Sequence, residues 1–187
     1  MPGASWPGVL RVAVVFAALL LLVGAWRVGL ANAQPVARVS AVYRVGRVVD
    51  GDTIDLTNGQ KVRLVQIDTP EVYFGLECYG PQASAITKRL LPPGTPVRLA
   101  VEPATDRVDQ YGRLLRYVIR ARDRLNVNVR LVAIGAAAPY FYAGRRGRLA
   151  SLLERLALHA RSQRLGLWGR CPRTPYHPTA GVNTGPA

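Results

Sequence analysis

Apolar and polar residues alternate over Ala41–Val49, though imperfectly, and again on both sides of Asn58-Gly59 within Val49–Glu71. They alternate a third time over Thr95–Val101 and Leu114–Arg120. A period of two places alternate side chains on opposite faces, so these runs predict five strands, the first three consecutive. Asn-Gly between alternating runs predicts a two-residue hairpin turn, because both residues tolerate positive φ. That turn would set Thr57 against Gln60, Ile54 against Arg63 and Asp52 against Val65. Three other stretches carry a helical period. Gly80–Leu91 has Pro81 at an early position, Ile86, Leu90 and Leu91 on one stripe, and Pro92-Pro93-Gly94 as its stop. Asn126–Gly135 mixes strand-favouring valines with Val127, Leu131 and Ile134 at helical spacing and reads as helix. Gly147–Leu165 repeats Leu149, Leu152, Leu153, Leu156 and Ala160 against an arginine-bearing face.

Five strands with one helix after the third and two after the fifth make an α+β pattern around a small barrel. The five-stranded OB-fold barrel is the expected architecture, and its usual ligands are oligonucleotides.

The ends of the chain read differently. Arg11 precedes an unbroken apolar run, Val12–Trp26, and Ala31-Asn32-Ala33 follows, the layout of a signal peptide cleaved before Gln34. At about 1.5 Å per residue the run spans roughly 22 Å, short for a membrane core of about 30 Å. An uncleaved anchor through residues 12–26 is the alternative. Residues 1–33 are therefore expected to be a leader or anchor, 34–40 a linker, 41–171 the folded domain and 172–187, rich in Pro, Thr and Gly, a disordered tail. The folded part is expected outside the cell, secreted or held at the outer membrane face.

Beyond Ala33 the chain carries 23 Lys and Arg against 11 Asp and Glu, a net charge of +12. Nucleic acid is the obvious partner for such a charge, but only Lys61 and Lys88 are lysines, so compositional bias explains an arginine excess equally well. Cys78 and Cys171 are the only cysteines, and in an exported protein two cysteines most often pair. Free buried thiols are the other reading.

The chemistry is concentrated in Val49–Glu71. Asp52 and Arg63 are expected on one face of the hairpin, and Asp68, of opposite parity, joins them only if the chain turns inward at Asp68-Thr69-Pro70. Two carboxylates at one end of a hairpin, with Glu71 beyond them, repel one another unless a cation offsets the charge.

Here the sequence resembles the thermonuclease, or staphylococcal nuclease, family. The matching stretches are VVDGDTI at 48–54, RLVQIDTPE at 63–71, YGPQAS at 79–84, DQYGR at 109–113 and RLGLW at 164–168. The resemblance implies an OB-fold enzyme that hydrolyses phosphodiesters of DNA and RNA at the P–O5′ bond with one calcium ion. Position by position, it implies Asp52 and Asp68 as calcium carboxylates and Thr69 as a carbonyl ligand. Glu71 becomes the general base, and Arg63 and Arg113 hold the scissile phosphate. Tyr111, Tyr140 and Tyr142 are candidates for stacking on bases, with Phe141 eligible in place of Tyr140 and core packing as the alternative role. A monomer acting preferentially on single strands is expected. Gln110 departs from the family pattern, standing where the best-known member has a phosphate-binding lysine. Two other functions stay open: a non-catalytic OB module that binds nucleic acid, and an anchored surface protein that meets anionic polymers through its basic face.

Overall fold

The structure, a computed structural model, describes residues 41–73 and 75–187. The expected leader and linker, residues 1–40, lie outside the described residues, and among these no helix is long and apolar enough to cross a membrane.

Strands β1 (Val42–Val48), β2 (Thr53–Leu56), β3 (Lys61–Leu64), β5 (Pro96–Ala100) and β6 (Leu114–Arg120) form the barrel, while the two-residue β4 (Ile67–Asp68) and β7 (Ala138–Pro139) pair outside it. The barrel closes in the order β1-β2-β3-β6-β5, with β3 and β6 parallel and the other pairs antiparallel. Strand β1 serves two neighbours: Val42–Arg44 pairs with β5, and the register shifts between Val45 and Arg47 before the strand continues along β2. Gly46 sits at this irregularity against the Asp55 carbonyl, where a side chain would be tight. Three longer helices follow, α1 (Gly80–Leu90), α2 (Val127–Ala133) and α3 (Ala150–Ser162), and then a single turn, α4 (Leu167–Arg170). The predicted α+β barrel with three helices is thus the fold observed, with α4 and the β4–β7 ladder added to it.

Alternation along the strands fills the barrel with Val45, Ile54, Leu56, Val62, Leu64, Val97 and Val118, and α2 and α3 cover one end with Leu131, Val132, Leu153 and Ala157. Full burial of each of the larger side chains is worth about 1.5–3 kcal/mol. Trp168 is buried in a smaller cluster with Leu167, Ala160 and Ala138.

Three local expectations are corrected. The hairpin loop holds three residues, not two: Leu56 N–H donates to Gln60 O at 2.8 Å and Gly59 N–H to Leu56 O at 3.0 Å, with Gly59 at φ 84°. A turn followed by a left-handed Gly is the standard three-residue hairpin loop. The register moves by one, so Thr53 faces Arg63 and Ile54 faces Val62. Asp52, just before β2, therefore stands opposite Leu64 rather than Val65, with its carbonyl accepting from Leu64 N–H at 2.8 Å.

The inward turn comes earlier than Asp68-Thr69-Pro70. It falls at Val65-Gln66, where Gln66 holds φ 65° and breaks the parity between Arg63 and Asp68.

Residues 172–187, expected as a disordered tail, run back over the domain. Pro178 O accepts from Phe141 N–H, Cys78 N–H donates to Gly185 O, and Ala187 N–H donates to Leu76 O. Composition alone missed this because the segment is held by backbone bonds, a Tyr176–Trp168 ring contact and the adjacent bridge, not by an apolar pattern.

Candidate active site

Asp52 enters a bend in which its own N–H donates to Asp50 Oδ1 at 3.0 Å. Gly51 lies directly against the Thr69 side chain, leaving no room for a Cβ, and that approach seats Thr69 on Asp52. Thr69 N–H and Oγ1–H donate to Asp52 Oδ2 at 2.9 and 3.0 Å. Arg63, from β3, spans the two carboxylates: Nη1 stands 3.0 Å from Asp52 Oδ2 and Nη2 2.6 Å from Asp68 Oδ1. Its Nη1 also donates to the carbonyls of Leu64 and Ile67 at 3.0 and 2.9 Å, fixing it to the corner that carries Asp68. The remaining Asp68 oxygen, Oδ2, accepts from Val182 N–H at 2.9 Å, a bond that comes from the returning C-terminal segment.

Arg113 arrives on a different element. Gly112, at φ 76°, turns the chain into β6, and Asp109 accepts Arg113 N–H and Nε–H at 2.9 and 2.7 Å. Its Nη1 lies 3.5 Å from Thr53 Oγ1, whose own hydroxyl reaches Asp52 Oδ1 at 3.3 Å. The parallel β3–β6 pairing sets Arg63 opposite Leu115, two residues past Arg113, and both arginines line one cleft.

Between them opens a cleft of about 410 Å³, lined by Arg63, Gln66, Arg113, Tyr111, Tyr140 and Tyr142 among others. Tyr111 and Tyr142 are exposed, the Arg113 guanidinium sits 5.3 Å over the Tyr111 ring, and Tyr140 and Tyr142 meet edge to face at 6.3 Å. Phe141 is buried in the core, so Tyr140 is the residue that faces the cleft.

Glu71 stands apart from this cluster, exposed, with its backbone N–H on Glu77 Oε2. Desolvation by the groups around it, then the charges of Asp50 and Asp68, push its carboxyl up despite Arg63. The loop beyond it is closed by Gly80, which packs against the Glu71 carbonyl, and by the Cys78–Cys171 disulfide, which joins residues 93 apart.

Burial pushes the Asp52 carboxyl up to about 7, with Arg63 opposing and Asp68 and Asp50 adding to the rise. Burial opposes the charge on Arg63 in turn, and the surrounding carboxylates raise it above its ordinary value. The pocket therefore holds more negative charge than one guanidinium offsets, and its donors are all oxygen. That chemistry fits a hard divalent cation. Among the described residues no three His, Cys, Asp or Glu side chains gather into a ready metal cage, so such an ion would rest on two carboxylates, a carbonyl and water.

Several residues here carried no signal in the sequence. Gln66 has no glycine or proline to mark its corner, Asp109 stood beside the motif arginine without an assigned task, and Val182 acts through its backbone. Only Asp109, four residues before Arg113 in DQYGR, could have been picked out by spacing.

The profile of the family described as Staphylococcal nuclease homologue matches residues 61–170. A thermonuclease of Staphylococcus intermedius is 36% identical over 134 residues, covering 68% of this chain and 76% of that protein. An uncharacterized endonuclease of Escherichia coli is 36% identical over 135 residues, 71% of this chain and 80% of that protein. Endonuclease YhcR of Bacillus subtilis is 38% identical over 109 residues, which are 52% of this chain and 9% of that protein. A profile match over more than half of the chain, on a barrel of the anticipated kind, makes this protein a member of the staphylococcal nuclease family.

Proposed function

We propose that the domain is an exported, calcium-dependent nuclease that hydrolyses phosphodiester bonds of DNA and RNA at P–O5′. The observation that carries this reading is the gathering of Asp52 and Asp68 on Arg63, which with Arg113 lines an open cleft walled by tyrosines. Asp52, Asp68 and the Thr69 carbonyl would hold the calcium ion, which when bound supplies positive charge beside a phosphate oxygen and leaves room for water. Glu71, exposed and with its carboxyl pushed up, takes the proton from the attacking water. Charge that builds on the equatorial oxygens is met by the N–H groups of Arg113, and by those of Arg63 once Asp68 turns from it. Tyr111, Tyr140 and Tyr142 offer ring faces to unstacked bases, which favours a single strand over a duplex. Export draws support from the apolar run at residues 12–26 and from the disulfide, which persists in oxidising compartments. A monomer is the working state, because every side chain in this scheme comes from one chain.

The test is digestion of single-stranded DNA by the chain from Gln34 onward, with calcium, with chelator and with Glu71→Gln. Calcium-dependent cleavage that falls by about 10²–10⁴-fold in the Glu71→Gln protein is expected. Undiminished digestion in chelator would remove the calcium scheme, and full activity in Glu71→Gln would remove Glu71 as the base. Tight binding without any cleavage would establish the non-catalytic module.

A further inference from the structure

Gln66 is 4% exposed and has a left-handed backbone at φ 65°, a region costly for any residue with a side chain other than Asn or Asp. A glycine would adopt it freely. Something about the glutamine side chain must therefore be used, and its bonds show what. Nε2–H donates to Arg145 O at 2.9 Å, and Oε1 accepts from Gly147 N–H at 2.7 Å. The Gln66 carbonyl accepts from Tyr140 N–H at 3.0 Å. One residue thus grips the segment 140–147 at three points, 74 to 81 positions away along the chain.

That segment carries Tyr140 and Tyr142. Its outer part, residues 142–146, is exposed, with Ala143 and Gly144 both at positive φ, and its side-chain ties there are exposed ion pairs, Arg145 to Asp106 at 2.9 Å and Arg146 to Glu154. Its far end is tied separately, where Arg148 N–H donates to the buried Glu102 carboxylate at 2.8 Å and Gly147 packs on that same side chain. Its near end is tied by Phe141 N–H to Pro178 O and by the two-residue ladder between β4 and β7. Unlike those exposed ion pairs, the buried Gln66 amide holds the backbone of 145–147 itself, through Arg145 O and Gly147 N–H. The same residue turns the chain from β3, which bears Arg63, into β4, which bears Asp68.

We infer that Gln66 is a positioning residue for nucleic-acid binding: its side-chain amide fixes the Tyr140–Tyr142 wall of the cleft relative to the arginine and carboxylate centre. The inference rests on the nuclease reading above. It separates two tasks of one position, since the backbone makes the corner and the amide holds the wall. Gln66→Gly keeps the corner and removes the amide. Gln66→Asn keeps a residue that tolerates left-handed φ, but its amide is one methylene too short to meet Arg145 O and Gly147 N–H together.

Both variants are expected to raise KM for single-stranded DNA by about tenfold, part of the stacking contribution, with kcat within about twofold of the parent. The dissociation constant of a fluorescently labelled single-stranded oligonucleotide, measured in chelator so that nothing is cleaved, should rise by the same factor. Val97→Ala, a buried barrel substitution far from 140–147 in sequence, serves as the stability control, compared at a temperature equally far below its own melting point. Unchanged KM and dissociation constant in Gln66→Gly would overturn the inference, as would equal rises in Val97→Ala, which would mark general loosening. A parent protein that neither cleaves nor binds would overturn the nuclease reading itself and the inference with it. Parent cleavage with a normal Gln66→Gly protein would overturn the inference alone.

Discussion

Arg63, on β3, and Arg113, at the turn that enters the parallel neighbour β6, line the same cleft, yet they are held in opposite ways. Arg63 is enclosed. Its side chain is 14% exposed and it meets two carboxylates and two backbone carbonyls. Among the described residues, Arg113 is gripped from behind by Asp109 alone through Nε, with its far end reaching only Thr53 at 3.5 Å and the face of Tyr111. Position in the cleft therefore does not define the work of a guanidinium; the number of its donors already satisfied does. Arg63 is part of the frame that keeps two acids in one pocket, and Arg113 has donors left for a ligand.

The contrast breaks most visibly at Arg63. Arg63→Ala leaves Asp52 buried and unpaired, so it is expected to lose cleavage and also about 3–5 kcal/mol of folding stability, read by urea denaturation in chelator. Arg113→Ala should lower kcat by about 10²–10³-fold while the urea midpoint stays close to the parent value. Arg113→Lys should recover little of that loss, because an ammonium cannot offer two parallel donors to a phosphate. If Arg63→Ala proves stable and Arg113→Ala unfolds, the assignment of frame and free arm is reversed.

A smaller effect belongs to Asp109. Removing its charge in Asp109→Asn should loosen the aim of Arg113 and reduce kcat/KM by about 10-fold, the low end for a supporting partner. The smallest effect is on acid stability. Burial alone would raise the Asp109 carboxyl, but bonds from Arg113 N–H, its guanidinium and Tyr111 N–H outweigh it and hold the group below its usual 3.8. A depressed folded value means this stabilisation is complete above the unfolded value and is lost as pH falls through the lower folded one. The stability gap between parent and Asp109→Asn should be constant from pH 5 to 8 by urea titration, and should close below about pH 4.

Much of this arrangement was legible in the chain. Strict alternation in KVRL, and the β-branched and aromatic run of LLRYVIR, mark strands whose inward residues are Val62, Leu64 and Val118, and the leucine period of 149–156 marks α3. The acids and arginines of the site stand in motifs whose order alone points to a nuclease. What escaped is conformational. Asn58-Gly59 admits both a two-residue and a three-residue loop, and the choice depends on where Gln60 finds its ladder partner, which shifts the register by one. Gln66 takes a left-handed conformation that its residue type disfavours, so local preference argues against the very corner that brings Asp68 beside Arg63. The C-terminal segment binds through the N–H of Val182 and the carbonyl of Pro178, groups every residue has, and no composition rule distinguishes them.

The β3–β6 seam also sets a time for the chemistry. Its register partners Val62 and Leu114 lie 52 positions apart, and their pairing waits on the slow closure of a long loop, whereas α1 and α3 need only local contacts. During refolding, helical signal should return before cleavage does, since Arg63 and Arg113 are not brought to one cleft until this long-range pairing is made. A newly made chain is in this sense harmless for as long as its barrel is open, and it becomes active in the same event that makes it compact.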